Sequence, residues 1–307
     1  MTTSLSNTVK SLCLKEGFFK VGFAKYELLT SEAAAYKKWV GENRNAGMNW
    51  MPRNIEKRED VSLILDGVKS VISLAYIYDT PFTHNENTPK ISRYAWGENN
   101  YHKIIKKKLK NICDALKNLD HSIETKFYVD DGPVLEKAWA ARSGIGWVGK
   151  HGNVINQEAG SFFFLSEIFI NKELDYDTPV ENLCETCRIC MEACPTGAIY
   201  DEYKVDANLC ISYHTIENRN EIPSYIEISG WIFGCDICQD VCPFNMKKFF
   251  TDNPAFFPLK EIHNSSLNDL GNINEEEFNN LFKNSPVKRT KFSGWKRNLT
   301  KYISETK

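Results

Sequence analysis

Apolar positions in the first half of the chain follow two different periods. Leu5, Val9, Leu12 and Cys13 recur at helical spacing, so residues 5–20 predict an amphipathic opening helix that stops near Gly17. Val68–Ile77 is rich in β-branched and apolar residues and predicts a buried strand. Helical spacing returns over Tyr101–Leu119, with Ile104, Ile105, Leu109, Ile112, Leu116 and Leu119 on one stripe. Lys106, Lys107, Lys108 and Lys110 fall mainly between those positions, and a solvated helix face accounts for them better than a phosphate contact. Lys126–Val129 predicts a short strand leading into the turn signal Asp130-Asp131-Gly132. Pro133–Arg142 reads as a helix with its proline in the first turn, and Phe162–Asn171 alternates like another strand. Strands alternating with helices predict an α/β domain over residues 1–175. The polar stretch Asp175–Asn182 then leads into a second module over residues 176–250, followed by a helical tail over 251–307.

Composition narrows the class. The chain has 307 residues, 42% apolar and 25% charged, and its formal net charge of −2 provides no global basic field for a polyanion. A nucleic acid would therefore have to meet a local basic patch. Met1–Lys20 contains no continuous apolar segment of the secretory kind. The apolar stretches around Val71–Tyr78 and Phe162–Leu165 are too short to span a bilayer. Ten cysteines without an export signal point to metal binding or catalysis in a reducing compartment rather than to a disulfide framework. The expectation is a cytoplasmic protein.

Eight of those cysteines form a constellation. The first run is Cys184-x2-Cys187-x2-Cys190-x3-Cys194-Pro195, the spacing of bacterial two-cluster ferredoxins. The second is Cys235-x2-Cys238-x3-Cys242-Pro243, with Cys210 upstream. In such runs three closely spaced thiolates wrap one cubane, and the fourth reaches the neighbouring cluster. That logic assigns Cys184, Cys187, Cys190 and Cys242 to one [4Fe-4S] cluster, and Cys194, Cys210, Cys235 and Cys238 to the other. Two zinc sites are the competing reading, but they explain neither the third cysteine at x2 nor the fourth at x3 followed by proline. Cys13 and Cys113 lie in apolar helical contexts and read as plain buried thiols.

Further segments carry a resemblance. Met51-Pro52-Arg53-Asn54 with Lys57-Arg58, Arg93-Tyr94-Ala95-Trp96-Gly97, Tyr101-His102 and Val129-Asp130-Asp131-Gly132-Pro133-Val134-Leu135-Glu136 occur in that order. Gly144-Ile145-Gly146-Trp147-Val148-Gly149-Lys150 follows, and Cys210-Ile211-Ser212-Tyr213-His214-Thr215-Ile216-Glu217 precedes the second cysteine run. From about Gly47 to Lys301 the chain resembles the epoxyqueuosine reductases. The resemblance implies an α/β (α+β) cobalamin-binding domain related to that of reductive dehalogenases, followed by the ferredoxin-like module with two [4Fe-4S] clusters. It implies a base-off cobalamin, and a monomeric enzyme that reduces the epoxide of epoxyqueuosine in a tRNA anticodon with electrons from a separate donor and no membrane partner.

The same resemblance places the catalytic acid on Asp130, a carboxyl whose pKa burial is expected to raise; the plainer reading is a turn-forming aspartate. It makes Arg53, Lys57, Arg58, Arg93, Tyr94, Asp130, Lys150, Asn153, Ser212 and His214 candidate cofactor contacts. Family members often continue into HEAT-like repeats that grip tRNA, and this sequence stops soon after the family core. Its basic segment Lys288–Arg297, with Phe292 and Trp295 interleaved, reads either as a phosphate and stacking surface or as a helix packed on the core. The competing functions are a corrinoid iron–sulfur reductase of a small molecule such as an organohalide, and an electron carrier.

Overall fold

A computed structural model describes residues 4–246 and 249–306 of the chain. Helix α1 (Leu5–Lys15) starts at Ser4, whose side chain accepts the Asn7 N–H, and the chain leaves it through Gly17 at φ +91°. That backbone conformation favours glycine, which explains why the stop falls there. Next come β1 (Lys20–Lys25), α2 (Thr30–Gly41), the short α3 (Ile55–Glu59), β2 (Ser70–Ile77) and β3 (Lys90–Ile91). They are followed by α4 (Tyr101–Leu119), β4 (Thr125–Tyr128), α5 (Glu136–Arg142), the hairpin β5 (Trp147–Val148) and β6 (Val154–Ile155), and β7 (Phe163–Ile170). Helix α5 begins three residues later than its proline predicts, because residues 130–135 are spent on the Asp130 turn.

Four strands form one sheet in the order β1-β2-β7-β4, and every pairing is antiparallel. The domain therefore realises the α+β side of the expected class rather than a parallel sheet with crossover helices. Phe23, Ile72, Leu74, Ile168 and Ile170 cover one face and pack against α1 and α4 through Val9, Cys13, Ile105, Leu109 and Ile112. Val71, Ala75, Phe163 and Phe169 cover the other, against Leu29, Val61, Trp139, Ala140 and Ile145. Sandwiching on both faces explains why β2 is buried along its whole length and shows no apolar–polar alternation. A Cβ on Gly22 of β1 would meet the Ser143 carbonyl at 2.0 Å, so the end of α5 can approach the sheet only over a glycine.

The remainder contains α6 (Ile189–Glu192), the hairpin β8 (Ile199–Asp201) and β9 (Lys204–Val205), α7 (Ile211–Ile216), β10 (Trp231–Phe233) and α8 (Ile237–Asp240). Helices α9 (Leu267–Asn272), α10 (Glu275–Leu281) and α11 (Lys291–Thr306) close the chain. Strand β10 pairs in parallel with β3, tying this half to the first. Trp295, Leu299 and Tyr302 of α11 join Ile211, Ile232, Phe233 and Trp96 in one core. Residues 251–306 thus share their interior with the cysteine module. No helix of the described residues is long and apolar enough to cross a membrane.

Candidate active site and cluster ligands

The eight cysteines of the two runs separate into two groups in space. Burial, then the nearby thiols of Cys242, Cys184 and Cys187, push Cys190 up to about 11, and Cys242 rises with Cys184 and Cys187 among its neighbours. Cys238 is raised by burial and by Cys210 and Cys194, and Cys235 by burial and by Cys238 and Cys210. The chain crosses over as the ferredoxin spacing requires: Cys242 stands with the first run, and Cys194 with the second. Thiols pushed up in this way are poor as free thiolates and suit iron, which neutralises them.

Among the described residues no group of three or more His, Cys, Asp or Glu is close enough for a single metal ion. Thiolates on one tetrahedral zinc would lie about 4 Å apart, whereas a four-iron cube spaces them more widely. Around the first group, the Trp147 Nε1–H donates to Cys184 Sγ at 3.4 Å. Around the second, backbone N–H groups of Tyr213 and Ser212 at the start of α7 point to the Cys210 sulfur.

Asp130 sits where β4 gives way to its turn, at φ +54°. Its Oδ2 accepts the Tyr101 O–H at 2.5 Å, and His102 Nε2 stands 3.6 Å away. Both partners come from the first turn of α4, fixed by the Asn100 side chain accepting the His102 N–H. The Tyr101 ring is held by stacking on Phe164 of β7, with centroids 4.0 Å apart. Asp131 turns the other way and pairs with Lys106 on the outer surface of α4. The Asp130 side chain is 65% exposed, yet burial is the largest influence on its pKa. Lys137 on α5 shows the same combination, which marks side chains on the walls of a cleft. Lys137 senses Asp130, Glu136 and Cys238 together, so the cleft runs from the Asp130 turn to the second cysteine group. Two open surface hollows, about 300 Å³ beside Lys10 and Phe19 and about 380 Å³ beside Trp147 and Val180, lie apart from this chemistry.

The electrostatics differ from the sequence-based expectation. Burial pushes the Asp130 carboxyl up, but hydrogen bonds from His102 and Tyr101 outweigh it, and Asp130 is held below the usual aspartate range. The raised carboxyl is its neighbour. Burial and the Asp130 charge push Glu136 up to about 8. Glu136 Oε1 also accepts the Asp130 backbone N–H at 2.6 Å.

The candidate cofactor contacts spread over several places. Tyr94 lies near Asp130, with its ring 6.0 Å from that of Tyr101. Asn153 Oδ1 accepts from Lys137 Nζ at 3.0 Å in the cleft. Arg58 rests on Tyr36 and donates to the Val134 carbonyl, while its Nε has no partner. Arg53 is exposed, Lys57 half-buried on α3, and Ser212 half-buried on α7. Three others are already committed. Arg93 is bound by Asp236 at 3.2 Å and Asp240 at 2.5 Å, behind Cys235 and Cys238. Lys150 is buried under the first cysteine loop, donating to the Glu185 carbonyl at 2.6 Å and pairing with Glu202 at 2.9 Å. His214 is buried, with Nε2 on the Asn208 carbonyl and Nδ1 on Asn218.

Sequence reasoning assigned no role to Tyr101, His102, Glu136 or Lys137. The first three lie inside the motif segments, so the sequence carried their position but not their partners. In the tail, Arg297 donates to the carbonyls of Asn218, Asn220 and His214, and Lys296 to that of Gly271. Trp295 is fully buried. The segment is a packed helix, and its aromatic and most of its cationic groups are used internally. Arg289 pairs with Glu217 at 2.9 Å and lies over Trp50.

Two groups of four thiols beside a cleft carrying a tyrosine- and histidine-bound carboxylate define an iron–sulfur oxidoreductase. The 4Fe-4S double cluster binding domain model matches residues 183–245, and the epoxyqueuosine reductase QueG model matches residues 58–131. Over 296 residues the chain is 42% identical to epoxyqueuosine reductase of Cellulophaga algicola, covering 96% of each. The fold superposes with a TM-score of 0.90 on a crystal structure of epoxyqueuosine reductase holding an epoxyqueuosine-modified tRNA-Tyr stem loop, at 29% identity over 98% of this chain and 81% of that one. The Bacillus subtilis enzyme, captured with its aspartate catalytic loop swung out of the active site, gives 0.88 at 28% identity, over 98% and 81%. The chain belongs to the epoxyqueuosine reductase family.

Proposed function

We propose that this protein reduces the epoxide of epoxyqueuosine, at the wobble position of a tRNA, to the cyclopentene of queuosine, with Asp130 delivering protons to the departing oxygen. The observation that carries the assignment is the Asp130 carboxylate, held by Tyr101 and His102 and facing the cleft that the second cysteine group borders. Removing an epoxide oxygen as water takes two electrons and two protons, and two clusters beside an acid are equipped for both. The enzyme works in the cytoplasm as a single chain fed by a separate electron donor.

The cleft also suits a corrinoid. Its walls carry the polar side chains of Asp130, Lys137 and Asn153, which suit the amide groups of a corrin rim. Tyr94, Asn153, Ser212 and Arg58 are the residues placed to hold such a group, with Arg53 and Lys57 at the exposed side. Bound there, cobalamin would supply a cobalt able to take electrons one at a time from the clusters and pass them to substrate carbon. This chain's own residues handle the protons: Tyr101 and His102 aim Asp130, and the turn at φ +54° lets it face the cleft while Asp131 stays on Lys106.

Asp130→Asn keeps size and a hydrogen-bond donor but no acidic proton. It should retain both clusters and bind epoxyqueuosine stem-loop, yet lose about 10²–10⁴-fold in turnover. Asp131→Asn should turn over normally. Normal reduction by the Asp130 variant, measured as queuosine formed under anaerobic assay, removes the assignment.

A further inference from the structure

Glu167 lies on β7, opposite Ser73 of β2 and Tyr128 of β4. It points to the α5 face of the sheet and is 0% exposed. Neither of its carboxyl oxygens has a hydrogen-bond donor, and the hydroxyl of Ser73, directly across the ladder, is also unpartnered. Among the described residues no lysine, arginine or histidine forms an ion pair with Glu167 or Glu136. The hydrogen-bonding group beside Glu167 is the Glu136 carboxyl. Two carboxyl groups bond to each other only when one keeps its proton, and an unpaired buried carboxylate is strongly disfavoured. The pair therefore holds protons in the resting protein.

Glu136 connects this interior pair to the cleft. Its Oε1 accepts the Asp130 N–H at 2.6 Å, at the root of the residue that faces substrate. The charged groups around it are Asp130 and Lys137, and Lys137 is itself held by the Gly152 carbonyl at 2.6 Å and by Asn153. We propose that Glu136 and Glu167 form a proton store that loads Asp130 from behind while substrate occupies the cleft in front. The inference rests on the function proposed above. Converting the epoxide breaks two C–O bonds, forms one C=C π bond and releases water, consuming two electrons from the clusters and two protons. Asp130, ionised at rest, takes a proton from Glu136 and gives it to the opened oxygen, then takes a second by the same route and gives it to the leaving hydroxyl. Glu136 is refilled by Glu167. Neither glutamate touches substrate, so both are supporting residues.

The test has two arms. In the first, infrared spectra of the whole iron-loaded protein are recorded across pH 5–9 without substrate. The carbonyl stretch of a protonated carboxyl should persist above pH 6 and weaken in Glu167→Gln, an isosteric change. In the second, Glu167→Gln and Glu136→Gln should lower kcat on epoxyqueuosine stem-loop at least about tenfold at pH 8. KM should be unchanged, and the loss should shrink toward pH 5, where solvent supplies protons. A purely structural role would lower activity equally at every pH. Absence of the protonated band in the wild type overturns the store, as does a wild-type pH profile in both variants. A wild-type enzyme inactive on epoxyqueuosine but showing the band would refute the proposed reaction and leave the store to the infrared result alone.

Discussion

Arg93 shows how one side chain can be read two ways until its neighbours are known. In the linear sequence it is a basic residue in a motif and a fair candidate to hold a cofactor. In the fold its guanidinium fills the space between Asp79, Asp236 and Asp240, with Asp236 buried between two cluster cysteines. Burial keeps the Asp236 carboxyl above its ordinary range even with Arg93 beside it, so the pair is needed to keep that loop tolerable. Arg93→Met should cost about 3–5 kcal/mol by leaving Asp236 buried without its cation. Iron content should fall in the second cluster first, readable by electron paramagnetic resonance of the reduced protein. Full cluster loading with unchanged thermal stability would show that Asp236 finds another partner.

At the scale of elements, α11 has taken the packed alternative, and its sequence shows why. Trp295, Leu299 and Tyr302 recur every three to four residues and reach a core already containing Ile232 and Phe233, which lead directly into Cys235. The basic residues between them are long enough to turn back onto exposed carbonyls, as Arg297 does at the end of α7. Trp295→Ala should destabilise the protein by about 3–5 kcal/mol, and because the core is shared, the second cluster should become labile to chelator. The checks are thermal melting and the rate of iron release. Neutralising Lys296 and Arg297 should weaken the fold before it weakens tRNA binding. The Lys106–Lys110 run on α4 likewise divides its labour: Lys106 pairs with Asp131, Lys110 with Asp114, and Lys108 reaches the Glu16 carbonyl.

For the whole molecule, the two halves depend on iron to different degrees. The sheet β1-β2-β7-β4 has apolar layers on both faces and contains no cluster ligand. The region from α6 to α8 has short helices and strands of two or three residues, and metal is what ties its crowded cysteines together. Native protein should carry about eight irons per chain. Anaerobic chelation should strip them and speed amide exchange across α6–α8 and α11, while β2 and β7 stay protected. Hydrogen exchange read by mass spectrometry tests this, and loss of protection in β2 at the same rate would mean the chain unfolds as one unit.

Sequence alone determined whatever depends on spacing along the chain. The helix Tyr101–Leu119, the strands near Ser70–Ile77 and Phe163–Ile170, the turn at Asp130 and the four-plus-four cysteine pattern are all local repeats of 3.6, 2 or fixed x2 and x3 intervals. Tertiary structure decided whatever depends on which groups meet. It made the sheet antiparallel, bound Arg93, Lys150 and His214 to protein partners, and packed α11 on the core. It also set the protons: Tyr101 and His102 hold Asp130 ionised, while Glu136, six residues on, and Glu167, on a strand distant in sequence, keep theirs. Burial and charge act through space, and no interval along the chain records that β7 would bring Glu167 beneath the Asp130 turn.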